Sequence, residues 1–128
     1  MTIPSQVTSY KKLQLYQKAR LLVLKTYQIT SLYPKSELYS LVPQMRRSAM
    51  SVLANIVEGY SKESAPEYAR FLTISIGSIT ELEVYLDISL DLGYLSKDKL
   101  DKMNTIIIEV KRLLYGSRKR AREKISIK

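Results

Sequence analysis

Apolar residues recur at intervals of three and four along most of the chain, which is the spacing of amphipathic helices. Four such segments are predicted, at about 9–32, 40–59, 65–92 and 97–120. The four glycines and four prolines fall mainly near the ends of these segments, where helices should stop. The pattern predicts one all-α domain over residues 1–128, a four-helix bundle whose short turns favour an antiparallel up-down-up-down order.

Local signals set the predicted helix boundaries. Ser64-Ala65-Pro66-Glu67 combines a capping box with a proline in the first turn, and it predicts the start of the third helix. Gly93 predicts its end, because glycine favours the left-handed residue that follows a helix. The other predicted boundary residues are Tyr33 before Pro34 for the end of the first helix, Ser40 and Gly59 for the two ends of the second, and Ser96 for the start of the fourth.

The third and fourth segments have apolar residues on more than one helix face. Ile74 and Ile88 lie off the main stripe of the third segment, and Ile106 and Leu113 form a second seam on the fourth. Large exposed apolar patches are rare on monomers, so the excess favours contacts between subunits. A closed homo-oligomer is therefore expected.

The composition excludes several kinds of chemistry. The chain has no cysteine and no histidine, so a disulfide framework, the usual zinc sites and a Ser-His-Asp machine are ruled out. No glycine-rich phosphate loop and no nucleophile beside a base is present. The expectation is a non-enzymatic protein with no cofactor and no metal.

The chain also lacks the patterns of exported and membrane proteins. Met1–Ser5 has no apolar run behind a basic head, as a signal peptide would have. No stretch approaches the roughly 18 apolar residues of a membrane span. A cytoplasmic protein without a membrane partner is expected.

Positive charge is concentrated at the two ends of the sequence. The net charge is +9, residues 1–57 and 111–128 are strongly basic, and residues 58–110 are acidic. Such a surplus favours polyanions, above all nucleic acid, although a soluble basic surface with no dedicated partner is the alternative. Tyr10 is the best candidate for stacking on an unpaired base. The candidate phosphate contacts are Lys11, Lys12, Lys18, Arg20, Lys111, Arg112, Arg118, Lys119, Arg120, Arg122 and Lys124.

The last part of this cluster, from Arg118 to Lys128, is dense in charge and is predicted to fray. A flexible basic tail would bind phosphates without reading the base sequence, because specificity needs positioned donors. A solvated helix end, where cations complement the helix dipole, explains the same residues without a ligand.

Other polar residues on the predicted helices are interpreted as structural or oligomer contacts. Glu83, Asp87 and Asp91 form an acidic ladder on one helix face. A carboxylate magnesium site is the less favoured interpretation, and pairing with cations such as Arg46 or Arg47 is the favoured one. The residues assigned to this structural set are Arg46, Arg47, Asn55, Glu58, Glu83 and Asp87.

The run from Ser40 to Gly59 resembles the segment "GLxxQxRRAAxSxxxNIAEG" of the four-helix-bundle proteins encoded by intervening sequences in bacterial 23S ribosomal RNA genes. The similarity continues through Glu67–Leu72 and Gly77–Glu83 to Leu92–Leu95. The opening Leu13-x-x-Tyr16-x-Lys18-Ala19 is similar to the family's "LxVWxKA" start. The resemblance spans about residues 10–115.

This resemblance implies a four-helix bundle that assembles as a ring-like homopentamer without enzymatic activity. Relatives of the family include the accessory variability proteins of diversity-generating retroelements, which are basic pentamers that bind a reverse transcriptase and nucleic acid. Two functions are expected. The first is a scaffold that binds structured RNA or an RNA/DNA hybrid through phosphates, and the alternative is a docking subunit for a protein such as that reverse transcriptase.

Overall fold

The computed structural model describes residues 9–127, and every regular element within them is helical. The opening Met1–Ser5 and the final Lys128, on which the signal-peptide and tail predictions partly depend, lie outside the described residues. The four long helices are α1 (Gln14–Thr30), α2 (Leu41–Ser61), α3 (Ala65–Asp91) and α4 (Lys97–Ile127), with short 3-10 turns at Tyr10–Lys12 and Lys35–Glu37.

The four helices enclose one apolar core. α1 packs against α2 and α4, and α3 packs against the same two helices. Burial of these apolar stripes is the main stabilising contribution of the fold. None of the described helices is long and apolar enough to span a bilayer. The largest side chains with no exposed surface are Leu22, Met45, Ile56, Leu72, Ile79, Leu82, Leu86, Ile107 and Leu114.

Small residues let α2 and α3 approach closely. The Ser75 hydroxyl donates to the carbonyl oxygen of Val52 at 2.9 Å, and the hydroxyls of Ser51 and Ser78 lie 2.8 Å apart. Ser48 and Ala49 are fully buried in the same region of α2. Ser51, Ser75 and Ser78 thus bond to one another or to the backbone, and Ser48 donates to Glu81, so these short side chains leave no unpaired groups between the helices.

α1 begins later than the predicted start at residue 9. Leu13 has an extended backbone (φ −68°, ψ 129°), which separates the 3-10 turn at Tyr10–Lys12 from the helix that starts at Gln14. Apolar periodicity did not reveal this break, because Leu13 itself fits the spacing of the stripe. The helix ends at Thr30, before Tyr33 and Pro34, as the proline signal predicts.

The start of α2 is built differently from the prediction that Ser40 caps it. The Ser40 side chain makes no capping bond to the helix and instead donates to Oε1 of Glu37 at 2.5 Å. The Glu37 carboxylate lies 3.4 Å from the Leu41 amide and accepts from the Tyr94 hydroxyl at 2.8 Å. Glu37 therefore caps α2 and also joins the α1–α2 turn to the turn before α4. Hydrogen bonds from Ser40 and then Tyr94 lower the pKa of Glu37.

The two glycine predictions have different outcomes. Gly93 follows α3 with a φ of +78°, as expected of the residue after a helix. Gly59 does not end α2, which continues to Ser61, and the left-handed residue in that turn is Glu63 (φ +54°). Gly59 is instead required by packing, because a Cβ there would lie 2.6 Å from the Cβ of Phe71.

The predicted frayed tail after Arg118 is corrected by the structure, in which α4 continues as a helix to Ile127. The buried stripe extends through Leu114, Ser117 and Ala121, so these turns still pack against the bundle. Lys and Arg are also good helix formers and are favourable near the negative end of the helix dipole. High charge density alone did not predict disorder here.

Candidate functional site

The two basic ends of the sequence come together at one end of the bundle. Ser9 and Leu13, which flank the turn that contains Lys11 and Lys12, line the same cavity as Arg120 and Lys124 of α4. We call this region the basic end. The cations that the two basic flanks of the sequence contribute to it are Lys11, Lys12, Arg118, Lys119, Arg120, Arg122 and Lys124.

Because the end of α4 is helical, its cations point in different directions. Arg120 and Lys124 line the cavity, which has a volume of about 560 Å³. Arg118, Lys119 and Arg122 line a second depression on another side of the helix. The charges are therefore positioned by a helix and not by an irregular tail.

Tyr115 is the aromatic residue of the second depression, and the sequence reasoning missed it. The guanidinium of Arg118 lies 5.0 Å from the centre of the Tyr115 ring, and 46% of the tyrosine is exposed. Tyr115 precedes Arg118, Lys119 and Arg122 by three, four and seven residues, so helical spacing past residue 118 was the available signal. Tyr10, the predicted stacking residue, packs edge-on against Tyr16 with ring centres 5.1 Å apart.

Two further cations at the basic end were also missed. Lys62 lies in the turn after α2, with its ammonium 5.9 Å from the centre of the Phe71 ring. The guanidinium of Arg70 lies 4.4 Å from the same centre and pairs with Glu67 at 2.7 Å. The Arg70 hydrogen bond lowers the pKa of Glu67. Both cations belong to the acidic middle of the sequence. They were missed because the net charge of that segment is negative.

Two predicted phosphate contacts are engaged in ion pairs within the bundle. The Lys111 ammonium lies 2.9 Å from Glu83, and the Lys18 ammonium lies 3.6 Å from Glu109. Both pairs are about one-third exposed. Their charge is thus partly neutralised, whereas Arg20 and Arg112 are exposed with no ion pair among the described residues.

Arg46 and Arg47 have different surroundings. The Arg46 Nε donates to the Thr30 hydroxyl at 3.0 Å, and its guanidinium lies 4.5 Å from the centre of the Tyr27 ring. It therefore joins α2 to α1 without a carboxylate. Arg47 forms an ion pair with Glu81 at 2.7 Å and so joins α2 to α3. The Ser48 hydroxyl also donates to Glu81, and these bonds, that of Ser48 first, lower the pKa of Glu81.

The remaining polar residues of the structural set lie on α2 and α3. The Asn55 amide nitrogen donates to the carbonyl oxygen of Ser51 at 2.8 Å. The side chains of Glu58 and Asp87 are exposed. Of the acidic ladder, Glu83 is paired with a cation of α4 and not with one of the cations proposed for it. Among the described residues, no group of three or more acidic side chains is placed to hold a metal ion.

Comparison with known families agrees with this architecture. Residues 11–116, which are most of the chain, match the family described as "23S rRNA-intervening sequence protein". The chain belongs to the 23S rRNA-intervening sequence protein family. The match covers all four helices of the bundle except the last part of α4.

A crystal structure of another bacterial protein shows a similar fold. It is a protein of unknown function from the S23 ribosomal protein family of Bacteroides thetaiotaomicron, with 21% sequence identity and a TM-score of 0.75. The alignment covers 82% of this chain and 95% of that protein. A search of the curated proteins finds no match to this chain.

The basic end lies only partly within the region that matches the family. The matched region includes Lys11 and Lys12 of the first 3-10 turn, but it stops before Arg118. Five cations of the basic end therefore lie in the part of α4 beyond the family match. The packed stripe that extends the helix through Ala121 also lies beyond it.

Proposed function

We propose that this member of the 23S rRNA-intervening sequence protein family is a non-enzymatic, oligomeric scaffold. It binds nucleic acid, structured RNA or an RNA/DNA hybrid, through phosphate contacts at the basic end. The observation that supports it is that Lys11 and Lys12 share one cavity-bearing end with the last turns of α4. Clustered cations on a rigid surface give sequence-independent affinity for phosphates.

The bundle arrangement proposed with it is antiparallel, up-down-up-down. The support lies in the order of contacts between α2 and α3. Along α2, Ser48, Val52 and Gly59 meet Glu81, Ser75 and Phe71, so one number rises as the other falls. For α1 and α4 the support is that Lys18 pairs with Glu109 and that Leu13 lines the same cavity as Lys124, so here too one number rises as the other falls.

The test is a salt titration of binding to a labelled RNA hairpin, followed by fluorescence anisotropy. The affinity of the natural chain should fall steeply as the salt concentration increases. The slope of log affinity against log salt concentration should be about −0.9 for each phosphate neutralised on duplex DNA, and somewhat smaller in magnitude for other backbones. The double variant Lys12→Gln/Lys119→Gln removes two exposed charges from the basic end, one from each basic flank of the sequence, and should reduce the slope by about two contacts.

A matched variant controls for net charge. Lys35→Gln/Lys99→Gln removes two exposed charges from the opposite end of the bundle, beside the turns that Glu37 joins. It should leave the slope nearly unchanged. Binding that is independent of salt, or equal weakening by the two double variants, would contradict phosphate contact at the basic end.

A second candidate function is protein docking, for example to a retroelement reverse transcriptase. It is favoured by apolar residues on the outward face of α3, where Ile74, Val84 and Ile88 are 41%, 55% and 45% exposed. Docking predicts that binding of the reverse transcriptase survives Lys12→Gln/Lys119→Gln and is lost in Val84→Asp. The reverse result would favour the charged scaffold.

A further inference from the structure

The cavity at the basic end exists because the helices have unequal lengths. α1 has 17 residues, whereas α4 has 31, so α4 extends beyond the first turn of α1 by several turns. The space next to it is bounded by Leu13 and Ser9, by the α2–α3 turn and by the last turns of α4. Its volume of about 560 Å³ lies within the range of small-molecule sites.

Two tyrosines form the aromatic part of the cavity. Tyr60 at the end of α2 and Tyr68 in the first turns of α3 both line it, with ring centres 5.7 Å apart and planes at 73°. Burial raises the pKa of the Tyr68 phenol. Like any tyrosine hydroxyl it is neutral near pH 7 and can donate a hydrogen bond. An aromatic ring at a cavity wall offers a π-face to a base of any sequence.

Cations lie on the α4 side of the same cavity. Arg120 and Lys124 line it, and the Arg120 guanidinium donates to the Ser117 hydroxyl at 3.2 Å. That bond positions one side of the guanidinium while leaving its other N–H groups for a ligand. Glu63 is the one acidic side chain among the described lining residues, and a carboxylate accepts hydrogen bonds from amino groups of bases.

We propose that this cavity binds one unpaired nucleotide, with the base against Tyr60 and Tyr68 and the phosphate on Arg120 and Lys124. The inference rests on the proposed function, since it names the unit of nucleic acid that the basic end takes. A cavity with aromatic and carboxylate groups for the base and cations for the phosphate matches a nucleotide better than it matches a bare phosphate. The same chemistry is present in a free nucleotide and in an unpaired residue of a strand.

The test compares three labelled or titrated probes: adenosine 5′-monophosphate, a short single-stranded oligoadenylate and an RNA duplex. Tyr60→Leu removes the stacking ring without changing the charge. It should lower the affinity for the first two probes by about 5- to 150-fold, the range for one stacked base. Duplex binding should change by less than about twofold. Tyr60→Phe keeps the ring and should retain the affinity of the natural chain.

Tyr39→Leu is the matched control, because Tyr39 is 91% exposed in the turn at the opposite end. Circular dichroism melting shows whether each variant folds. Loss of single-strand and mononucleotide binding in Tyr60→Leu, with Tyr60→Phe and Tyr39→Leu unaffected, supports the nucleotide site. If Tyr60→Leu binds all three probes like the natural chain, the site is excluded.

The outcomes separate this inference from the proposed function. Salt-dependent duplex binding together with no effect of Tyr60→Leu leaves the scaffold function in place and overturns the nucleotide site. Mononucleotide binding through Tyr60 without binding of either nucleic acid supports the site for free nucleotides and overturns the scaffold function. Inorganic phosphate that competes as well as adenosine 5′-monophosphate would also overturn the site, because the base would then contribute nothing.

Discussion

Gly59 determines how closely α2 approaches the start of α3. The residue is buried, and a Cβ built on it would lie 2.6 Å from the Cβ of Phe71 and 3.3 Å from the Tyr68 ring. The Phe71 atom belongs to the stem of its side chain, so it moves only if the backbone moves. The family motif contains this glycine, but the preference of glycine for helix ends suggested a helix end there and not a close contact.

Gly59→Ala is therefore expected to lower the free energy of unfolding by about 1–3 kcal/mol through overpacking. The gain in helix propensity, about 0.5–1 kcal/mol, offsets part of this. Gly116→Ala is the control, because its Cβ would make an ordinary contact, 3.5 Å from the flexible end of Arg120. Urea unfolding should show that Gly116→Ala is neutral or stabilising. Equal stabilisation by both substitutions would exclude the close contact.

Helix existence was predictable from the sequence, and helix ends were predictable where a local bond decides them. Ser64 accepts from the Glu67 amide at 3.4 Å, and Ser96 from the Lys99 amide at 3.2 Å, as their capping signals predict. Ser40 has the same residue type but bonds to Glu37, which a tertiary contact with Tyr94 also holds. Such a contact between distant turns is invisible in local sequence.

The end of α4 could not be predicted from local sequence either, because Ala121 lies beside the turn between α2 and α3, which is distant in sequence. If these turns are helical, the exposed variant Lys119→Gly should lower the free energy of unfolding by about 0.5–1 kcal/mol. Ala121→Gly, at a position that is 5% exposed, should lower it by about 1–2 kcal/mol because packing is lost as well. Chemical denaturation measures both. Two values near zero would indicate the frayed tail that the charge density predicts.

At the scale of the molecule, the sequence predicted that the candidate site is positively charged, but it did not predict the full set of residues that form it. Most cations of the basic end were named from the two basic flanks. Their meeting around a cavity depends on the different lengths of α1 and α4, and the pairing of Lys18 and Lys111 with carboxylates depends on helix register. Tyr60 and Tyr68 were absent from the predicted site, because at helical spacing an aromatic residue looks like core.

The exposed apolar face of α3 is the candidate contact between subunits. Val84 and Ile88 lie one turn apart, and about half of each side chain is exposed, which favours burial against another copy of the chain. We expect light scattering to show an oligomer, and the family resemblance implies a pentamer. We expect Val84→Asp to reduce the mass towards the 14.7 kDa of one chain, because a carboxylate would be buried without a partner.

Leu32→Asp is the control for this prediction, because Leu32 is 67% exposed but lies in the turn after α1. It places the same charge on an equally apolar surface residue away from the α3 face, so the oligomer should persist. An unchanged helical signal in circular dichroism would show that Val84→Asp separates folded subunits and does not unfold them. A natural chain of 14.7 kDa, or an oligomer that tolerates Val84→Asp, would assign the exposed α3 face to a different partner.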